Sequence, residues 1–228
     1  MSPSQTLAAI IDANPSAARI LERHDLDYCC HGQRTLEAAC AELNLDPAVV
    51  QAELDAAPAT DRGEWTSMAP AEFVDHLEAT HHRYLHEEMP RLAELAIKVR
   101  GVHGDRHPEL HEVAATYLEL QADLDPHLAK EEQVLFPMIR ELTSGAEGAT
   151  AHCGGIGNPI RVMMMEHDRA GELLAQLRKL TNGYQAPADG CASYQALYKG
   201  LEEFEADTHL HVHKENNVLF PTVLELDS

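Results

Sequence analysis

The chain has 228 residues, 44% of them hydrophobic, with 17 Lys+Arg against 38 Asp+Glu and a formal net charge of −21. That is enough chain to bury a proper core, as one large domain or a domain with a small appendage. A surface this negative repels phosphate backbones and argues against nucleic acid as a partner, and no apolar run approaches the roughly 20 residues of a membrane-spanning helix. The opening stretch "MSPSQTLAAIIDANP" has neither a basic n-region nor a continuous apolar segment. No membrane partner and a cytoplasmic location are therefore the expectation. Five cysteines, an odd number with two adjacent, argue against a disulfide framework and suit a reducing compartment.

Residues 1–57 read as a small helical domain. Asn14-Pro15 and Asp46-Pro47 each place a capping side chain before a proline in the first turn of a helix. Between them, "DLDYCCHGQRT" carries a turn signal at Gly32. Residues 58–68 are polar, contain glycine, lack periodicity and read as a linker. Residues 69–228 carry four long amphipathic patterns, at about 70–100, 108–142, 157–181 and 190–225. In the second, Leu110, Val113, Ala114, Tyr117, Leu120 and Leu124 recur with helical spacing. No strand pattern competes, so the expected fold is all-α: a four-helix up-down bundle with a small amino-terminal helical domain.

Two stretches share the frame H-x-x-K-E-x-x-V-L-F-P: "HLAKEEQVLFPMI" from His127 and "HVHKENNVLFPTV" from His211, 84 residues apart. On a helix, i and i+4 share a face, so His127 can point with Glu131 and His211 with Glu215. A single H-x-x-x-E is usually a surface ion pair worth little. Two copies in one frame need another reason. The duplication extends upstream, with His82 lying 45 residues before His127 and His167 lying 44 before His211. His81 and His86 compete with His82 for the first position, and symmetry of spacing favours His82. Two such helical hairpins, packed face to face, would gather four imidazoles and two carboxylates. Carboxylates buried together without a cation are strongly disfavoured, so the pattern calls for metal, and for two ions.

The donor types narrow the metal. No thiolate belongs to the bundle pattern, and imidazole is too abundant for magnesium or calcium. Two non-haem iron ions bridged by Glu131 and Glu215 suit the set, with manganese and zinc behind. Positions would remain for an oxo or hydroxo bridge and an exogenous ligand. Glu166, beside His167, is placed either to move protons near the site or simply to pair locally on its helix. Glu132, Lys130 and Lys214 are expected to be solvated. His209 and His213 should face away from the site, and Phe136 and Phe220, each before a proline, should plug the core and end their helices. Cys40 and Cys191 read as core residues, and Cys153 sits in a Gly-rich loop. Cys29 and Cys30 would form only a strained ring as a disulfide, which leaves a buried apolar pair or a reactive, iron-handling dithiol.

The order H-x-x-x-E resembles hemerythrin-like proteins. "DYCCHG", "HLAKEEQVLFPMI", "EHDRAGELL" and "HVHKENNVLFP" together resemble the iron-sulfur cluster repair family of di-iron proteins over nearly the full chain. That resemblance implies iron ligands at His82, His127, Glu131, His167, His211 and Glu215, and a functional dithiol at Cys29 and Cys30. It implies damaged iron-sulfur proteins as partners, nitric oxide or oxygen as small ligands, and repair after nitrosative or oxidative stress by iron donation or removal of bound nitric oxide. Pairing of two chains as a homodimer is compatible with it. The alternatives are a di-iron nitric oxide reductase and a hemerythrin-type sensor of oxygen or nitric oxide. Two features depart from the family: His31 stands where the family has a glycine-rich turn, and the loop from Thr143 to Pro159 is lengthened.

Overall fold

The structure, a computed structural model, describes residues 2–58, 64–144 and 155–227. Cys153 and residues 59–63 of the expected linker lie outside the described residues. The chain divides into two compact units, one of residues 1–73 with 209–228 and one of residues 74–208.

The first unit begins with four short helices, α1 (Leu7–Ala13), α2 (Ala18–Arg23), α3 (Leu36–Glu42) and α4 (Pro47–Ala56). Each is too short to persist alone in water, so caps and packing must hold it. Thr6, Thr35 and Asp46 cap α1, α3 and α4 by accepting from the backbone N–H groups of Ala9, Ala38 and Ala48. Asn14 caps a 3-10 turn at Pro15–Ala17 through Ser16. Both Asx-Pro devices therefore start helical turns as the sequence indicates. Leu7, Ile10, Ile11, Leu21, Leu36, Cys40 and Leu54 form one core, with Val212 packed into it. Gly32 closes the turn after the cysteines, where a Cβ would lie 2.3 Å from the Tyr28 carbonyl oxygen.

The second unit is a helical bundle. Its helices are α5 (Pro70–Leu77, entering the unit at Val74), α6 (Arg83–His103), α7 (Glu109–Lys130), α8 (Phe136–Thr143), α9 (Gly157–Leu180) and α10 (Ala192–Lys214, within the unit to Thr208). Leu85, Leu92, Leu110, Tyr117, Leu173, Leu177, Leu197 and Phe204, drawn from α6, α7, α9 and α10, share one core. The second amphipathic pattern is thus an inward face, as its period requires. The final helix, α11 (Phe220–Leu226), belongs to the first unit. Among the described residues there is no strand, only an isolated bridge between Thr6 and Thr35. None of their helices is long and apolar enough to cross a membrane.

Three π-helical turns interrupt the long helices, at Glu78–His82, Glu131–Leu135 and Glu215–Leu219. The repeated V-L-F-P explains the latter two. In a regular helix, Pro137 and Pro221 would press against a carbonyl four residues back and offer it no N–H. Instead the Phe136 N–H donates five residues back to the Glu131 carbonyl, and Phe220 does the same to Glu215. The extra residue per turn makes room for the proline ring, and the chain continues as α8 and α11. Phe136 and Phe220 are buried core plugs, as expected, but the prolines extend the helices rather than end them.

Deep in the bundle unit, the buried Glu205 carboxylate accepts from Arg178 Nε at 3.2 Å. Arg178→Met should leave that charge unpaired and cost about 3 kcal/mol of stability. Adding Glu205→Leu should recover most of the loss. Chemical denaturation of the three proteins measures both effects.

Candidate metal centre

Glu131 opens its π-helical turn directly after α7, and in the bundle unit three imidazoles converge on it. His82 Nε2 lies 3.5 Å from one carboxylate oxygen, while His127 Nε2 and His167 Nε2 lie 3.4 and 3.9 Å from the other. The Nε2 atoms of His127 and His167 are 3.2 Å apart. Glu131 has 0% exposure and the three histidines at most 2%. In the first unit, His211 Nε2 and Glu215 lie 3.1 Å apart, equally buried. The structure thus brings together four of the six expected ligands in one unit and two in the other.

The outer nitrogens explain how the rings are directed. His82 Nδ1 donates to Glu132 at 2.9 Å, and His127 Nδ1 donates to Glu166 at 3.0 Å. A carboxylate can only accept, so each Nδ1 carries a proton, and the bond turns each Nε2 toward Glu131. Carboxylate-backed imidazoles around a buried carboxylate form a donor set that fits a divalent cation, because such backing fixes the tautomer and raises ligand basicity. The competition among the three neighbouring histidines resolves by direction. His81 Nδ1 donates to Asp207 at 2.9 Å, and the exposed His86 donates to Glu132 at 2.8 Å.

Several residues read as solvated have work to do. Glu132 serves both His82 and His86, and these bonds outweigh partial burial to hold its carboxyl below the ordinary range. The hydrogen bond from His127, joined by Lys130 and opposed by burial, brings Glu166 from 4.5 to about 2. Glu166 therefore stays ionised through the physiological range and acts as a fixed acceptor. Lys214 is buried, with Nζ 4.4 Å from the Trp65 ring centre. Cys191, expected in the core, is exposed beside α10, with its sulfur 3.1 Å from His103 Nε2.

The dithiol occupies the turn that Gly32 closes. Asp27 Oδ1 accepts from the backbone N–H groups of Cys29 and Cys30, at 3.0 and 2.9 Å, and from the Cys29 thiol at 3.3 Å. His31 donates to the other carboxylate oxygen at 2.6 Å. The two sulfurs are 3.7 Å apart. Cys29 is buried and Cys30 only partly so. The adjacent Cys30 sulfur, then burial, then the Asp27 charge push the Cys29 thiol well above its ordinary range. Asp27, Cys29 and Cys30 offer ligand atoms all within 4.8 Å of one another, so the trio can hold a soft cation as well as act as a thiol pair.

A helical bundle with imidazoles and a carboxylate turned inward defines a class of cation-binding protein, and comparison with known families agrees. Residues 74–223 match the hemerythrin HHE cation-binding domain, and residues 3–58 match a domain of unknown function, DUF542. A probable iron-sulfur cluster repair protein of Haemophilus influenzae is 40% identical over 225 residues, covering 96% of each chain. The iron-sulfur cluster repair protein YtfE of Escherichia coli is 38% identical over 223 residues, again covering 96% of each. The chain belongs to this family of hemerythrin-like iron-sulfur cluster repair proteins.

Glu166→Gln should weaken metal binding by about tenfold or more, because the amide backs His127 less well than a carboxylate. Calorimetric titration of the metal-free protein measures it. The same variant tests the Glu166 charge. Its depressed pKa contributes stability that is complete above 4.5 and lost as the pH falls toward about 2. The stability gap between the parent protein and Glu166→Gln should therefore narrow over that window in acid denaturation.

Proposed function

We propose that this chain is a cytoplasmic di-iron protein that restores iron-sulfur clusters damaged by nitrosative or oxidative stress. Two non-haem iron ions with an oxo or hydroxo bridge would be held by His82, His127, Glu131, His167, His211 and Glu215. The observation that carries the reading is the fully buried Glu131 ringed by imidazoles, two of them backed by carboxylates, in a chain that matches iron-sulfur cluster repair proteins over 96% of its length. Bound iron would supply the redox and ligand-binding chemistry for nitric oxide or oxygen.

The residues of the chain do the rest. Glu132 and Glu166 hold the His82 and His127 rings by their outer nitrogens and keep the protons there. Phe136 packs on the His82 ring, with centroids 5.2 Å apart, and keeps water from that side. Cys30, the more accessible sulfur of the pair, is the group that meets the damaged client, while Cys29 remains protonated behind it. The dithiol then relays iron or electrons. The net charge of −21 favours clients with basic faces around the damaged cluster.

His127→Ala should lower iron content and bleach near-ultraviolet absorption of the iron centre, and unchanged iron would remove His127 from the ligand set. The functional test incubates iron-loaded, anaerobic protein with a nitric-oxide-damaged [4Fe-4S] dehydratase and follows headspace nitrous oxide in the same vial. Recovered dehydratase activity without stoichiometric nitrous oxide is the expected result. Catalytic nitrous oxide with no recovery would make the chain a nitric oxide reductase. Joint replacement Cys29→Ser with Cys30→Ser should abolish reactivation while iron stays bound.

A further inference from the structure

The two copies of the repeated frame differ where a common metal-binding purpose gives no reason to differ. Ala129 in the first copy corresponds to His213 in the second, Glu132 to Asn216, and Gln133 to Asn217. In the first unit all three second-copy residues reach the dithiol turn. Asn217 Nδ2 donates to the Cys29 carbonyl at 2.9 Å and is 3.4 Å from the Tyr28 carbonyl. Asn216 Nδ2 donates to the Cys29 carbonyl at 3.4 Å, and His213 Nδ1 lies 3.4 Å from the Tyr28 carbonyl. Asn217 is itself held, since its Oδ1 accepts from Gln33 Nε2 at 3.1 Å. The turn has little freedom on its other side, because Gly32 sits so close that a Cβ there would be 2.8 Å from Asn217 Oδ1.

The two asparagine contacts lie on the π-helical turn that begins at Glu215, with Asn217 two residues along. The position of that turn thus sets where the Asn217 amide is, and the amide sets where the Cys29 carbonyl is. We infer that Asn217 is a positioning residue that couples the Glu215 turn to the Cys29–Cys30 dithiol, so that metal held at Glu215 keeps the thiol turn closed and its loss lets it open. The inference rests on the assignment of His211 and Glu215 as ligands. Coupling of this kind is reciprocal, so opening of the thiol turn must also weaken metal binding at Glu215 by the same factor.

The divergence between the copies follows from this division of work. In the first copy, Glu132 is spent on backing His82 and His86. An amide at the matching position donates to carbonyls, which a carboxylate cannot do. The second copy thus exchanges an acceptor for a donor.

Iodoacetamide alkylation of each cysteine in the full-length protein, read by peptide mass spectrometry with and without iron(II), tests the coupling. Cys191, exposed, supplies the reference rate, and the buried Cys40 of the same unit reports general unfolding. In the parent protein, iron should slow alkylation of Cys29 and Cys30 by roughly fivefold, the factor one hydrogen bond of ordinary net strength contributes to an opening equilibrium. Asn217→Asp keeps the shape and removes the shorter of the two amide bonds to the Cys29 carbonyl, so most of the iron effect on both cysteines should disappear, while iron content at saturating iron stays as in the parent. Gln33→Leu should act in the same direction and less strongly. A parent rate indifferent to bound iron, or an iron effect undiminished in Asn217→Asp, would overturn the inference. His211→Ala separates the two readings: unchanged iron content there removes the ligand assignment. In that case Asn217→Asp must still raise alkylation of the iron-free protein for the positioning role to stand.

Discussion

A carboxylate with no access to water is the constraint from which the rest of this structure follows. Glu131 and Glu215 are each wholly buried, and a buried anion must be matched by positive charge or strong donors. The imidazoles directed by their outer nitrogens surround the Glu131 carboxylate with nitrogen donors, a cradle that suits a cation. The acidic residues outside the cradle, Glu132 and Glu166, are therefore part of the same electrostatic problem. Each accepts from Nδ1 and so turns Nε2 inward.

The helices bend to that purpose through a covalent device. A proline six residues beyond each buried glutamate cannot complete an α-helical turn, and the chain answers by widening to a π-helical one that begins at the glutamate. The segment that carries His82 reaches the same result without proline. There Thr80 Oγ1 donates to the His76 carbonyl at 2.6 Å, and the Arg83 N–H reaches back to Glu78 across a π-helical turn that ends at His82. Widened turns at three buried polar side chains show helical regularity giving way to side-chain placement.

The periodicity of Leu110 through Leu124 made the bundle legible because burial on one helix face imposes a 3.6-residue period. The repeated His and Glu were legible because duplication keeps residues that spacing alone would not single out. The prolines misled, since a local rule for helix ends does not register that a widened turn removes the clash. Glu132 and Lys214 misled for a related reason. Charged residues beside a ligand look solvated until a partner from a distant segment, His82 for one and Trp65 for the other, is brought against them. Cys191 looked like core from the helical pattern around it, yet it precedes its helix and is exposed.

By itself the sequence determined the all-α class, the starts of the short helices, the duplicated ligand types and the adjacent thiols, because each is written in local spacing or in capping chemistry. Only tertiary structure decided that His82 rather than His81 or His86 turns toward Glu131, that Glu166 and Glu132 back the His127 and His82 rings, and that the Asn217 amide donates to the Cys29 carbonyl. These are choices of direction among residues of equal chemical type. Direction is set by packing and by hydrogen bonds between segments tens to nearly two hundred residues apart, which no local pattern encodes.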